Sequence, residues 1–383
     1  MPVKHTLLTP GPTAVPPEVL EALAEPVLHH RSPDFKTLFA GVQERLRAVY
    51  RTAGDVLVLT CSGTGAFESA VVNVLSPGER VLAVSSGNFG ERWQQMAAAF
   101  GCNVVPLRYA WGETPRAEEI GEAVAESGAG VVFLVHSETS TGVVLDLEAC
   151  AAAARERDAL VVVDAISSLG AVPLETDAWG LDVVVTGSQK ALMTPPGLAF
   201  VSVSERAGKR SERSTLPRFY WDWARARAAQ AKDNTAFTPA VSTLVAPDVA
   251  LRQLLEAGLE QTFARHAALG RAARAGVKAM GLELYSPDDD SAAVLTAVLT
   301  PEGVDAVELR LALRDRFGIT VAGGHGDVVD RLFRIGHIGY VDLSDLTRAL
   351  GAIEVLLGER EIDVATGAGV AAALEAYESA VRA

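Results

Sequence analysis

Apolar positions in this chain fall into short unbroken runs separated by amphipathic stretches, and this alternation sets the first expectation of the fold. Residues 161–164 (VVVD) and 181–186 (LDVVVT) are β-branched runs bounded by turn residues. They read as strands buried on both faces of a parallel sheet. Similar runs predict strands at 55–60, 80–85, 104–107, 131–136 and 198–203. Between them the pattern predicts helices at 35–50, 66–75, from 91 onward, 117–125 and 147–157. Repeated strand–helix units imply an α/β fold with a doubly wound, mostly parallel sheet. After residue 203 the pattern loosens, and 204–238 reads as a functional excursion rather than sheet. Helices follow at 242–257 and 260–280, the second long enough to bridge domains. Then 293–299, 304–317, 319–321, 332–335 and 343–357 alternate as strand, helix, strand, strand, helix, before a final helix at 370–381. That suits a smaller α+β domain with its sheet covered on one face. A proline-rich segment up to Pro17 reads as a packed extended arm. The expected organisation is an arm at 1–19, a large domain at 20–257 and a small C-terminal domain at 258–383.

Candidate chemistry lies where the predicted strands end. Ligands of such sheets sit beyond the carboxyl ends of the strands. Asp164 ends one run, and Lys190 follows another in a Gly-Ser-Gln-Lys turn, so an acid and an amine should share one rim. A lysine that forms a Schiff base and an acid paired with a pyridinium nitrogen are what pyridoxal phosphate chemistry requires. Polar residues also end buried strands for ordinary reasons, so the pair alone leaves both readings open. The turn Cys61-Ser62-Gly63-Thr64-Gly65 joins a strand to a helix, and its small residues let backbone amides approach an anion. Glu68 stands where a dinucleotide fingerprint needs glycine, and no Walker lysine is present, so a single phosphate or a purely structural turn remains. Phe89, in the GNFG turn, is either core or covered by something that stacks on it. HSETSTG (136–142) supplies a hydroxyl-dense loop at the same rim. The neighbouring His29 and His30 have no further ligands at useful spacing, and no metal is expected.

Composition narrows the class. With 383 residues, 49% hydrophobic and 21% charged, the chain can bury two cores and reads as an ordered globular enzyme. A formal charge of −14 disfavours nucleic acid, and the most basic stretch, residues 206–213, reads as a short solvated loop. Cys61, Cys102 and Cys150 are odd in number and lack metal spacing. With no leader-like N-terminus, they lead us to expect a cytoplasmic protein without disulfides. No apolar run is long enough to span a membrane.

Taken together the motifs TPGP (9–12), SGTGA (62–66), GNFG, HSETSTG, VVVDAISS, TGSQK, NTAFTP and FRIGHIGY (333–340) resemble the class V aminotransferases of the fold-type I pyridoxal-phosphate superfamily. The likeness is greatest to the alanine–glyoxylate, serine–glyoxylate and serine–pyruvate branch, and it covers nearly the whole chain. It implies pyridoxal 5′-phosphate as cofactor, held by Lys190, with Asp164 on the pyridine nitrogen. Ser62, Gly63, Thr64 and Gln189 would bind the phosphate. Phe89 would stack on one ring face and Ile166 pack on the other; relatives often carry tryptophan or tyrosine where this chain has Phe89. Thr139 matches the hydroxyl near the 3′-oxygen. Arg334 matches the clamp for the substrate carboxylate, with Gly11 close to the substrate. Thr238, and with less support Thr235, would reach the cofactor phosphate of a second copy, which implies a homodimer with shared sites. Many relatives have tyrosine in place of Thr235. The aromatic run 219–223 fits such an interface. The resemblance implies ping-pong transfer of an amino group from alanine or serine to glyoxylate or pyruvate. Alternatives are a lyase or cysteine desulfurase on the same fold, a non-catalytic partner subunit of the kind named for soluble hydrogenases, and a nicotinamide dehydrogenase. The desulfurase lacks its cysteine, since AGGHGD (322–327) occupies the corresponding loop, which leaves a β-lyase without such a cysteine as the form of that alternative.

Overall fold

A computed structural model describes residues 4–289 and 292–382. Seven strands form the larger sheet, in the order Asp55–Leu59, Ala199–Val203, Val183–Gly187, Leu160–Asp164, Val131–Val135, Arg80–Ser85 and Asn103–Arg108. All neighbouring pairs are parallel except those made by Ala199–Val203, which runs against both of its neighbours. The β-branched runs are continuous because successive side chains enter different cores. Val161, Val163 and Val184 pack beneath the helices Pro33–Tyr50, Leu147–Arg155 and Val241–Ala257. Val162, Val183 and Val185 pack against Phe67 and Trp93, from the helices Gly63–Val74 and Asn88–Ala99 on the other face. A strand covered on both faces has no polar side to display, and so its sequence shows no alternation.

The second sheet has five strands, in the order Thr6–Leu8, Ile319–Gly323, Leu332–Gly336, Leu295–Leu299 and Glu283–Leu284. Its first strand comes from the proline-rich arm and pairs parallel to Ile319–Gly323. Its core is closed by the helices Leu259–Ala279, Ala306–Phe317, Leu343–Gly358 and Ala368–Arg382. No helix among the described residues is long and apolar enough to cross a membrane.

The structure corrects several expectations. The basic run 206–213 is not a solvated loop: Glu205–Ser211 is helical, capped by Ser204, and Arg206 pairs with Asp158 and the buried Asp182. A second helix, Trp223–Gln230, also lies inside the supposed excursion. Two helices begin three residues earlier than expected, at Gly63 and Asn88, because glycine and asparagine in a first turn resemble loop residues. The aromatic run 219–223 divides: Trp223 is core and donates to Ser69 Oγ at 2.7 Å, whereas Phe219 and Tyr220 are exposed.

Candidate active site

The carboxyl ends of the strands Leu160–Asp164 and Val183–Gly187 open onto a crevice beside the second sheet. Asp164 is 5% exposed. Its Oδ1 accepts from the Ile166 amide at 2.8 Å, and no hydrogen bond reaches Oδ2 among the described residues. Burial pushes this carboxyl up to about 7, while the Ile166 amide and the Lys190 and Arg92 charges pull against the rise. Lys190 Nζ donates to the Pro10 carbonyl at 3.0 Å, and burial draws the amine down to about 8. The two groups stabilise each other's charged forms. Gly11 explains why the arm can approach so closely. A Cβ there would lie 2.2 Å from Lys190 Nζ, and its φ of +152° also disfavours a side chain. Thr13 fastens the arm from the other side, donating to Lys190 O at 2.8 Å.

Ser62 precedes the helix Gly63–Val74 without capping it, so its hydroxyl and the first amides of the helix remain available to an anion. Gly63 lies under Ile166, where a Cβ would sit 2.4 Å from Ile166 Cδ1. Arg92 donates to Thr64 Oγ1 at 3.3 Å and lies over the Phe89 ring, 4.8 Å from its centroid. Nearby Gln189 Oε1 is buried and has no hydrogen-bond partner.

Glu138 organises the opposite rim. It is 1% exposed. Its Oε2 accepts from the amides of Phe89 at 2.9 Å and Gly90 at 3.0 Å, and its Oε1 from the Ser140 hydroxyl at 2.5 Å. Burial still raises its carboxyl above the ordinary range. Thr139, beside it, is buried, and its carbonyl accepts from Arg334 Nη1. Arg334 lies in the strand Leu332–Gly336, opposite Ala297 and Ala322. Its Nε donates to Gly323 O at 2.7 Å, and its Nη2 lies 3.1 Å from His325 Nε2. Burial lowers this guanidinium to about 10, which leaves it a cation at neutral pH.

The crevice therefore gathers Gly11, Ser62, Gly63, Thr64, Phe89, Thr139, Asp164, Ile166, Gln189, Lys190 and Arg334, linked directly or through Arg92, Glu138 and His325. Thr235 and Thr238 do not join them. They line a separate cleft with Thr60, Tyr220 and Phe237, and the Thr235 hydroxyl donates to Phe237 O at 2.7 Å. Sequence reasoning missed Glu138, Arg92 and His325. An acid inside a hydroxyl-dense loop at a strand end was a usable signal for Glu138. His325 had only its place in a glycine-rich loop. The three thiols are free, and burial raises Cys61 and Cys150 to about 12 and Cys102 to about 11. Among the described residues no histidine, cysteine or carboxylate cluster could hold a metal ion.

Comparison with known proteins adds four findings. A family model described as aminotransferase class-V matches residues 5–339. The chain is 41% identical over 381 residues to a protein of Anabaena cylindrica named soluble hydrogenase 42 kDa subunit, covering 98% of this chain and 99% of the relative. It is 37% identical over 385 residues to the serine–glyoxylate aminotransferase of Methylorubrum extorquens, covering 97% and 96%. Among solved structures, the ureidoglycine–glyoxylate aminotransferase of Bacillus subtilis superposes with a TM-score of 0.94 at 30% identity, covering 99% of each chain.

Proposed function

Because the chain belongs to the class V aminotransferases, which are pyridoxal-phosphate-dependent transaminases, we propose that it moves an amino group from alanine or serine to glyoxylate or pyruvate. The observation that carries the reading is the convergence of one amine, one acid and one guanidinium in the crevice. One acceptor supports the fit to the cofactor: Asp164 Oδ2 has no protein donor, and a protonated pyridine nitrogen would supply one.

When bound, the cofactor supplies an electron sink conjugated to the substrate Cα. The remaining work falls to the chain. Asp164 would pair with the pyridine nitrogen; a cation there would return the buried carboxyl to its ionised form and in turn keep the nitrogen protonated. Ser62, the amides of Gly63 and Thr64, and the Gln189 side-chain amide would hold the phosphate, with the Arg92 charge beside them. Phe89 and Ile166 would pack on the ring, with the Thr139 hydroxyl close to it. Arg334 would take the substrate α-carboxylate through paired N–H donors and so orient Cα. Lys190 would anchor the cofactor, and its amine, once free, would carry the Cα proton. In the chain alone, burial already draws that amine down to about 8, toward the range a proton carrier needs.

The same reading makes the protein a homodimer. Thr238 lies away from its own crevice, and beside it Phe219 and Tyr220 form an exposed aromatic face with Phe237. A second copy, related by a two-fold axis, would cover that face and bring Thr238 to the other cofactor phosphate. Sedimentation at micromolar concentration should give a dimer.

Small substrates are favoured by the glyoxylate-dependent relatives and by the His325 ring set directly beside Arg334. The test is a panel of amino donors against glyoxylate and pyruvate. Alanine and serine should give the highest kcat/KM, and a preference for acidic or aromatic donors would reject the assignment.

A further inference from the structure

The guanidinium of Arg334 is held on three sides. Gly323 O takes its Nε, Thr139 O takes Nη1, and His325 Nε2 faces Nη2 at 3.1 Å. The first two partners are carbonyls, which accept at every pH. The third is an imidazole, which accepts only when neutral. Arginine has no acceptor to offer, so this contact fixes the histidine tautomer. Nε2 carries the lone pair and Nδ1 carries the proton.

His325 comes from the loop between the strands Ile319–Gly323 and Leu332–Gly336, and it reaches across the crevice. Its ring meets Phe89 edge-on, with centroids 6.3 Å apart. Trp111 supports the same loop: its ring end would lie 3.4 Å from a Cβ at Gly326, and its Nε1 donates to Glu91 at 2.9 Å. The loop thus sets the imidazole between the ring that would stack on the cofactor and the arginine that would take the carboxylate.

We propose that His325 is a positioning residue and a pH-sensitive latch for Arg334: neutral, it holds the guanidinium in the carboxylate-binding orientation, and protonated it releases it. This rests on Arg334 being the carboxylate clamp. On protonation, Nε2 would carry a hydrogen toward the Nη2 hydrogens, and two cations would meet at hydrogen-bond distance. The charges facing His325 are Arg334 from the adjacent strand and Arg92 from the helix Asn88–Ala99. Both oppose protonation, as does burial, so the imidazole titrates below its ordinary value. The latch is closed at neutral pH and opens as pH falls through that lowered value.

The test uses the cofactor-loaded enzyme, with KM for the oxo acid measured from pH 5 to 8. Its carboxylate stays ionised throughout that range. Wild-type KM should rise on the acid side while kcat follows the titration of the other site groups. H325Q keeps an acceptor that does not titrate and should hold KM flat. H325L should raise KM for both donor and acceptor by about tenfold at neutral pH, the scale of one hydrogen bond to a charged group, with kcat little changed. Calorimetric titration of the loaded enzyme with propionate, which binds without reacting, with affinities expressed per ionised carboxylate, should show the same pH dependence in wild type and none in H325Q. Unchanged melting temperatures would confirm that both variants fold.

An H325L enzyme with wild-type KM, an H325Q enzyme that keeps the acid limb, or a wild-type KM that falls with acid would each overturn the latch. R334K separates the two layers. If R334K raises KM a hundredfold and H325L does nothing, the latch alone is wrong. If R334K leaves KM unchanged, the clamp reading fails and the latch with it.

Discussion

Two buried polar clusters lie on either side of the strand Leu332–Gly336, and they are built on opposite plans. In one, His337 contacts Thr296 Oγ1 at 3.1 Å and Ala293 O at 3.0 Å. His266 contacts Ala171 O at 3.1 Å and takes the Gly339 amide at 3.1 Å. Both rings are fully buried, every ring nitrogen has a partner, and burial lowers both to about 3. In the other, the crevice, Asp164 Oδ2 and the buried Gln189 Oε1 have no donor. A buried polar group costs free energy unless it is paired. The first cluster is complete within the chain and serves to join the long helix Leu259–Ala279 to the second sheet. The second becomes complete only with something added. Burial alone does not mark a functional site, and missing partners do so only where charged groups also converge, since Trp93 Nε1, His136 Nδ1 and Thr176 Oγ1 are buried without partners elsewhere.

Lys190→Ala should separate the two plans most sharply. Turnover should fall by at least the ~10²–10⁴-fold typical of losing a positioned acid–base group, and the visible absorbance of the lysine-linked cofactor should vanish. Melting of the cofactor-free protein should hardly change, because a buried cation has been removed along with its single carbonyl contact. Near-normal activity would sink the assignment of this amine.

Asp164→Asn should likewise cut activity by orders of magnitude while stabilising the cofactor-free protein. The sign follows from proton binding. The folded carboxyl titrates near 7 rather than 3.8, so between those values the folded state binds the extra proton. Wild-type stability therefore falls as pH rises through that window, by at most about 1.4 kcal/mol per unit, and levels off above pH 7. Asparagine has no such slope. Chemical denaturation of both proteins from pH 4 to 8 would show the gap opening; parallel curves would mean that Asp164 is not held in the state described.

His337→Leu should do the reverse. It strands the Thr296 hydroxyl and the Ala293 carbonyl, at a cost of about 1–3 kcal/mol, and should leave cofactor affinity and KM nearly unchanged. A stable His337→Leu protein with impaired chemistry would erase the distinction between the two clusters.

How far these features could be read beforehand follows the same physics. The strands 161–164 and 183–187 were legible because a strand buried on both faces leaves an unmixed apolar run. That Lys190 and Asp164 lie close together was legible because both follow such runs, and Arg334 was placed near them only by the motif that contains it. The strand Thr6–Leu8 was not. Three residues carry no period, and its partner lies near the other end of the chain. His337 stands in the same FRIGHIGY motif as Arg334, yet nothing local says that one turns toward the crevice and the other away from it. The helical basic run escaped for a related reason: Arg206 and Arg210 are placed by Asp158, Asp182 and Glu79, residues distant in sequence.

That early strand also constrains the order in which the molecule can be made. Thr6–Leu8 has its backbone partner in Ile319–Gly323, and the residues just after it, Pro10 to Thr13, hold Lys190 and its neighbour Gln189 in place. A ribosome emits the strand long before its partner. The larger sheet can therefore assemble while the arm still trails free, but the crevice cannot close around Lys190 until Ile319–Gly323 has emerged. Pairing so distant is slow to form. Competence for catalysis should thus come to a newly made copy well after its larger sheet has folded.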